Sequence, residues 1–407
     1  MVPEGWRDSL LDDVATRRSG HTPDKTKPEY WNGGIKWVSL ADSSKLDDGI
    51  ISATDKEISE LGLRHSSAVM LPKGTVVLSR DAGVGKSAIL GDAMAVSQHF
   101  IAWACSEKNK LDQWFLYYWM QMQKPLFERM AVGSTIKTIG LPFFKKLRIT
   151  HPPLAEQKRI AEVLGVWDRA IEVAGKQLDL ARTQKRALMQ TLLTPTRRFP
   201  GYEGQPWKEV RLGDVGIISS AGVDKKTNPS EPEVRLLNFL DVFRRDFLYN
   251  KEFDHVVTAP TTKVEQCNVL KGDVFFTPSS ETRDDLARSA VAMEDMPGVV
   301  YSYHVVRFRL TDDWDMNFRA FVFQSDRFQR QAYEKGDGSG QRYVISQSNF
   351  RDMTVFVPGK AEQALIGATL KAAADEITTL ETQITRLQAE KKALMQQLLT
   401  GQKRLAV

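Results

Sequence analysis

Between residues 160 and 192 apolar side chains recur at alternating intervals of four and three. The series is Ile160, Leu164, Trp167, Ile171, Ala174, Leu178, Ala181, Leu188 and Leu192, with Lys185 taking one place in it. The rhythm returns at Ile366, Leu370, Ala373, Ile377, Leu380, Ile384, Leu387, Leu394 and Leu398, now with Lys391 in the lysine's place. A seam sustained this long predicts a helix that packs along one stripe against another helix by knobs-into-holes contact. Each predicted helix runs about 40 residues, or roughly 60 Å. Pro152 and Pro153 precede the first and Pro195 follows it; Pro358 and Gly359 precede the second and Gly401 follows it, which sets plausible boundaries. A lysine in such a seam costs stability but fixes register, or lets its stem snorkel.

Ahead of each helix the pattern changes to short β-branched and aromatic runs separated by Gly, Asn, Asp and Pro. Thr75 to Leu78, Val274 to Thr277, Val299 to Leu310 and Met353 to Val357 read as strands. The aromatic segments Trp114 to Met120 and Phe318 to Phe323 read as helices buried on one side.

These parts form an internal repeat. Trp6, Leu11, Asp13 and Val14 coincide with Trp207, Leu212, Asp214 and Val215 at a shift of 201. Leu71-Pro72-Lys73-Gly74-Thr75-Val76 matches Val269-Leu270-Lys271-Gly272-Asp273-Val274 at 198, and Ala155-Glu156-Gln157 matches Ala361-Glu362-Gln363 at 206. Gly133-Ser134 matches Gly338-Ser339, and the Ala-Leu-Met-Gln-x-Leu-Leu-Thr ending occurs at 187–194 and 393–400. The order is kept while the shift drifts by a few residues, as loop insertions would make it. The reading is an α+β chain of two mixed α/β domains, 1–151 and 200–357, each followed by a spacer helix, 152–196 and 358–402. A seam needs a partner. Because the two match in length and period, antiparallel pairing within the chain is favoured over a homodimer zipper. That pairing is expected to put the domains at opposite ends.

Composition narrows the class. With 407 residues, 42% hydrophobic and 26% charged, the chain has the make-up of a globular protein of two to four domains. No apolar run reaches the roughly 18 residues of a membrane span, and Met1 to Trp6 lacks signal-peptide features, so a cytoplasmic location is expected. Two distant cysteines, Cys105 and Cys267, exclude a disulfide framework or a cysteine-rich zinc site. A net charge of +5 suits a polyanionic partner without requiring one.

Candidate chemistry is sparse. Gly83-Val84-Gly85-Lys86-Ser87 ends like a phosphate-binding loop, but Arg80 stands where that motif needs its first glycine. The corresponding Ser279-Ser280-Glu281-Thr282-Arg283 has no such loop, so a glycine-bearing surface turn is expected. The six histidines are scattered; His99 and His304 fall at similar places in the repeat, in apolar context, and read as structural. There is no nucleophile elbow, dinucleotide fingerprint or amino-methyltransferase motif, so no catalysis and no metal is expected. What remains are basic residues in predicted loops. In the first domain these are Lys36, Arg64, Arg80, Lys86, Lys137 and Lys145; in the second, Arg235, Arg244, Arg245, Arg283, Arg288 and Arg342. Such side chains hold phosphates as charges, and arginine also reads base edges. Two related readers on a rigid spacer suit a bipartite DNA target.

Over essentially its whole length the chain resembles the specificity subunits of type I restriction–modification systems. The likeness is carried by the Trp-x-x-x-x-Leu-x-Asp-Val opening of each unit and by the 71–86 stretch. It is carried further by the Gly133-Ser134-Thr135-Ile136-Lys137 loop, by Pro152-Pro153-Leu154-Ala155-Glu156-Gln157-Lys158-Arg159-Ile160, and by the Lys-Arg-Ala-Leu-Met-Gln ending. The second copy departs with Val357-Pro358-Gly359-Lys360. The resemblance implies two target recognition domains, each reading half of an interrupted asymmetric DNA sequence, and an antiparallel helical spacer setting the gap. It also implies two modification subunits docked on the spacer, a restriction subunit with a translocase motor, and S-adenosylmethionine, ATP and Mg on those partners. A coiled-coil adaptor that binds only proteins and a homodimeric DNA-binding regulator are the alternatives.

Overall fold

The computed structural model describes residues 2–405. It divides into two compact units: unit 1 comprises Met1–Ala174 with Gln383–Val407, and unit 2 comprises Gly175–Thr382. Both predicted long helices form, as Leu154–Leu192 and Lys360–Leu399. Each unit therefore contains one globular domain and a part of each helix.

The globular domain of unit 1 is built on a five-stranded sheet in the order Thr16–Ser19, Phe100–Ala104, Val76–Ser79, Ser87–Leu90 and Ile50–Ile51. Its pairs are antiparallel except the last, which is parallel. Beside it lies a three-stranded sheet, Lys56–Ile58, Trp31–Val38 and Ala95–Val96, and Arg7–Leu10 pairs with Arg148–His151. Unit 2 repeats this plan: Gly216–Ser219, Val306–Leu310, Val274–Phe276, Ser289–Ala292 and Phe247–Leu248 form its five-stranded sheet. Val256–Thr258, Glu233–Leu237 and Val299–Tyr301 form its three-stranded one, and Lys208–Arg211 pairs with Thr354–Val357. The duplication seen in the sequence is thus one of strand order as well. Unit 2 adds a small sheet of Ser279–Ser280, Arg342–Val344 and Asp337–Ser339. The expected run Val299 to Leu310 is two strands. Ser302 to Val305 turn the chain from one sheet to the other, because Ser302 and Val305 close a tight bond (Val305 N–H to Ser302 O, 3.0 Å).

The aromatic segments form the helices Gln113–Met130 and Met316–Val322. Each begins at an aspartate, Asp112 or Asp315, whose carboxylate accepts two backbone N–H groups of the first turn. That satisfies donors a helix start otherwise leaves orphaned. The Gln of each repeated Ala-Glu-Gln fixes the same aspartate. Gln157 Oε1 accepts from Asp112 N at 2.8 Å and Gln363 Oε1 from Asp315 N at 2.9 Å. Both amides also donate back to the proline carbonyl just before their own helix, Pro152 or Pro358. Each glutamine thereby locks the aromatic helix to the start of the long helix.

The seam does what its period predicts, within each unit. In unit 1 Ile160 and Leu164 are fully buried in the core and meet Met395, Leu398 and Leu399 from the end of the other long helix. In unit 2 Ile366, Leu370 and Ala374 are buried with Leu192 and Leu193. The contacts fix the direction: Asp168 meets Lys391 and Glu156 meets Arg404, while Arg182 meets Glu381 and Arg198 meets Glu362. As one residue number rises its partner's falls, so the helices run antiparallel. Each fully buried leucine or isoleucine contributes about 1.5–3 kcal/mol. The middle positions Ile171, Ile377, Leu380, Ile384 and Leu387 are half-buried, as are Trp167, Leu188 and Leu394, while Leu178 is buried. The two seam lysines are neither snorkelling nor unpaired. Lys185 pairs with Asp246 and sits 5.1 Å from the Phe321 ring centre; Lys391 pairs with Asp168 and sits 5.2 Å from Tyr118. Both are cation–π geometries backed by a carboxylate.

A second repeated device closes each unit. Glu156 and Glu362 lie buried in the first turns of the long helices. A bidentate arginine meets each: Arg404 at 2.7 and 2.8 Å, Arg198 at 2.7 and 2.6 Å. Each arginine also lies over the opening tryptophan of its unit, Trp6 or Trp207. The Trp207 indole N–H donates to Glu362, whereas that of Trp6 is buried without a partner.

Candidate nucleic-acid interface

In unit 1 four segments meet at one edge of the sheets. The chain leaving Thr16–Ser19 crosses the three-stranded sheet at Gly20, where a Cβ would lie 1.8 Å from Val96 O, so only glycine fits. His21 N–H then donates to Val96 O and Trp37 Nε1 to His21 O. The loop after Val76–Ser79 is tied to the turn at 97–100: Arg80 N–H donates to His99 O, and His99 Nδ1 lies 2.8 Å from Asp81 Oδ1. The loop 131–139 closes the group, with Arg80 Nε donating to Ile139 O at 3.1 Å and Asp81 bridging to Thr138. A groove of about 680 Å³ opens beside them, lined by Thr22, Lys25, Trp31, Asn32, Lys56, Gln98 and His99.

Unit 2 repeats the arrangement. Gly222 crosses under the turn at 302–305, where a Cβ would sit 2.3 Å from Ser302 C. Val223 N–H donates to Tyr301 O and Tyr303 N–H to Val223 O. The loop after Val274–Phe276 pairs with the strand Arg342–Val344, and Arg342 donates to Ser279 Oγ at 3.0 Å. Gly133 and Gly338 stand at the same bend of the two hairpin loops with φ of +132° and +130°, a conformation side-chain-bearing residues rarely adopt. Burial, followed by the charges of Lys225 and Arg342, holds the His304 imidazole below its ordinary value.

The basic residues singled out in the sequence distribute unevenly. Lys36 pairs with Asp92, Arg64 with Glu60, Arg245 with Asp241 and Arg288 with Asp285. The Arg235 guanidinium donates to Asn250 and Pro297 O, and Arg283 lies over the Tyr343 and Tyr333 rings. Arg80 and Arg342 brace the converging loops as described. Lys137, Lys145 and Arg244 are exposed and make no side-chain bond among the described residues. His99 and His304, expected in apolar surroundings, are part-exposed at the loop edge. Lys25, Lys225, Gln98 and Tyr303 belong to the same edge and were not singled out. The signal for Gln98 and Tyr303 lay in the repeat, since each directly precedes an aligned histidine; Lys25 and Lys225 both follow the crossing glycine, by five and three residues, and carry no such alignment.

Gly83 to Ser87 forms a closed turn. Lys86 Nζ donates to Ser43 O and Oγ at 2.9 and 3.2 Å, and Ser87 begins a strand, whereas a phosphate loop opens a helix. Burial pushes the Cys105 thiol up to about 12 and raises that of Cys267, so neither is a ready nucleophile. Among the described residues no three His, Cys, Asp or Glu side chains gather as a metal site, and no helix is long and apolar enough to cross a membrane.

Two copies of one domain, each presenting an edge of loops with polar and basic side chains, define a duplicated recognition protein. The family model for the type I restriction modification DNA specificity domain matches residues 3–180 and 204–389, and the chain belongs to that family. It is 24% identical to the type I restriction enzyme MjaVIII specificity subunit of Methanocaldococcus jannaschii, over 99% of this chain and 94% of that one. It is 26% identical to the EcoprrI specificity subunit of Escherichia coli over 39% of this chain and 41% of that one. The crystal structure of the type I system S subunit from M. genitalium shares its fold, with a TM-score of 0.59 and 16% identity over 98% of this chain and 96% of that one. The chain is thus a non-catalytic specificity subunit concerned with recognition of DNA sequence.

Proposed function

We propose that the two units read the two halves of an interrupted, asymmetric DNA target. The observation that carries this is one framework with different rims. Strand order, crossing glycine, hairpin bend and buried Glu–Arg clamp are shared. Gln98 stands where unit 2 has Tyr303, and Lys137 stands where it has Arg342. The hairpin pairing that amounts to isolated bridges in unit 1 (Asp81 and Val132 with Thr138) is a three-stranded sheet in unit 2. Two identical readers would recognise a palindrome; two different rims on one plan suit two different half-sites. Exposed Lys25, Lys137 and Lys225 hold phosphates, which supplies affinity and makes it steeply salt-dependent. The paired helices space the half-sites and seat two modification subunits, one per repeat. S-adenosylmethionine chemistry belongs to those partners, and ATP- and Mg-driven translocation to a restriction subunit, in the cytoplasm.

The test is to delete one heptad from each long helix, between Ile171 and Lys185 and between Ile377 and Lys391. The modified sites are then sequenced in cells carrying the partner subunits. Seven residues at about 1.5 Å each remove about 10 Å, or about three base pairs at roughly 3.4 Å per pair. The expected result is a gap shortened by about that amount between unchanged half-sites. Altered half-site bases with an unchanged gap would refute the spacer role.

A further inference from the structure

Both units contain the same four-residue turn, at the place where the chain passes from the three-stranded to the five-stranded sheet. In unit 1 it is Ser97-Gln98-His99-Phe100; in unit 2 it is Ser302-Tyr303-His304-Val305. The serine is buried and its N–H donates to the neighbouring strand, Val38 O or Leu237 O, at 2.9 Å in both. The fourth residue is buried and its N–H closes the turn on the serine carbonyl, at 3.1 and 3.0 Å. The histidine is half-buried in both. Only the second residue is exposed, and only it changes in chemical kind among the polar positions, from glutamine to tyrosine.

The surroundings hold this position still. The glycine crossing pins the backbone from beneath, and in unit 1 the Asp81–His99 contact ties the turn to the next loop. In unit 2 the Tyr303 ring lies 3.9 Å from the His304 ring, centre to centre. Gln98 Oε1 accepts from Thr22 Oγ1, while the Gln98 NH2 group and the Tyr303 hydroxyl have no partner among the described residues. Lys25 and Lys225 are exposed on the crossing segments alongside.

We infer that Gln98 and Tyr303 are equivalent specificity-determining residues, each reading a base of one half-site from a turn whose backbone the fold fixes identically in both units. This rests on the DNA-specificity reading above. A glutamine carboxamide matches adenine in the major groove, accepting from N6 and donating to N7, so Gln98 reads an adenine. The tyrosine offers one hydroxyl and an apolar ring, so Tyr303 reads a different base. Fixed backbone with a variable exposed side chain is what separates a reading position from a phosphate-holding one, since phosphate contacts carry no sequence information.

The test uses the complete complex with its modification subunits, in cells, with modified sites sequenced and DNA affinity measured against salt. Gln98→Ala is expected to lose about 5- to 150-fold of the preference at one position of one half-site, leaving the other half-site, the gap and the salt slope unchanged. Gln98→Glu, which can only accept, is expected to turn that preference from adenine towards cytosine, whose N4 donates. Tyr303→Ala is expected to alter the other half-site alone. An unchanged motif in Gln98→Ala overturns the assignment. Equal loss at every position, or an effect of Gln98→Ala on both half-sites, overturns it as well. If the unaltered complex showed neither a sequence motif nor salt-dependent DNA binding, the DNA-specificity reading itself would fail, which is a distinct result.

Discussion

The clamp at the start of the second long helix gives a sharp stability prediction. Glu362 is 1% exposed and the Arg198 side chain 9%. The carboxylate accepts both arginine bonds and the Trp207 indole N–H at 3.2 Å. Arg198→Ala therefore leaves a charge buried with one neutral donor. Removing one partner of a buried pair costs about 3–5 kcal/mol. Glu362 sits in the first helical turn, where the helix dipole relieves up to about 1 kcal/mol of that. The expected cost is then about 2–5 kcal/mol, and for a unit of this size each kcal/mol lowers Tm by about 2–4 °C. Scanning calorimetry is expected to show the unit 2 transition falling by about 4–20 °C while that of unit 1 stays in place. Arg198→Lys recovers little, because an ammonium cannot make the two parallel bonds. The double change Arg198→Met with Glu362→Leu recovers most of the loss, since it removes both charges together. A shift corresponding to less than about 1 kcal/mol in Arg198→Ala would show that water reaches the carboxylate and would refute the reasoning.

Other perturbations test separate parts of the argument. Leu164→Ala empties a fully buried position in unit 1 and is expected to cost about 2–5 kcal/mol, read as a lower first calorimetric transition with unit 2 unmoved. Lys137→Ala is expected to weaken DNA binding evenly across sequences and reduce the slope of log affinity against log salt by about 1, in fluorescence titrations of the assembled complex. Burial, with Lys225 and Arg342, lowers the His304 value, so the folded state favours neutral imidazole. Its contribution is complete above the ordinary value of 6.5 and is lost as pH falls through the lowered one. Urea midpoints of the native chain minus those of His304→Gln are therefore expected to decrease on acidification; a constant difference would contradict the assignment.

The parts of the fold that were legible are those in which partners share a local rhythm. The seam positions Ile160 to Leu192 and Ile366 to Leu398 repeat every three or four residues, so their helix and its buried stripe follow from the string alone. The Ala-Glu-Gln match was visible too, but its meaning was not. Glu156 meets Arg404, 248 residues away, and nothing local in either segment points to the other. The same distance problem affected the basic residues. Lys36 looks free in sequence and is paired with Asp92, which only the fold brings alongside. Charge type selects residues that could touch phosphate; partners decide which remain available, and those come from elsewhere in the chain. The turn at Ser97 and Ser302 lay between these cases. Its two histidines align in the repeat, but an apolar neighbourhood in sequence suggested burial, whereas the strands turn the neighbours inward and the turn itself outward.

Unit 1 is assembled from residues up to Ala174 and residues from Gln383 on, with the whole of unit 2 between them in the chain. That arrangement sets an order of events during synthesis. Once Ile160 and Leu164 have left the ribosome, about 230 residues must follow before Met395, Leu398 and Leu399 arrive to cover them. At roughly 5–20 residues per second the wait is about 12–46 s. Unit 2 has all its residues first, while its neighbour holds an apolar stripe open to water. The nascent chain at that stage is a folded module tethered to an unfinished one, and the stripe is what a chaperone would meet.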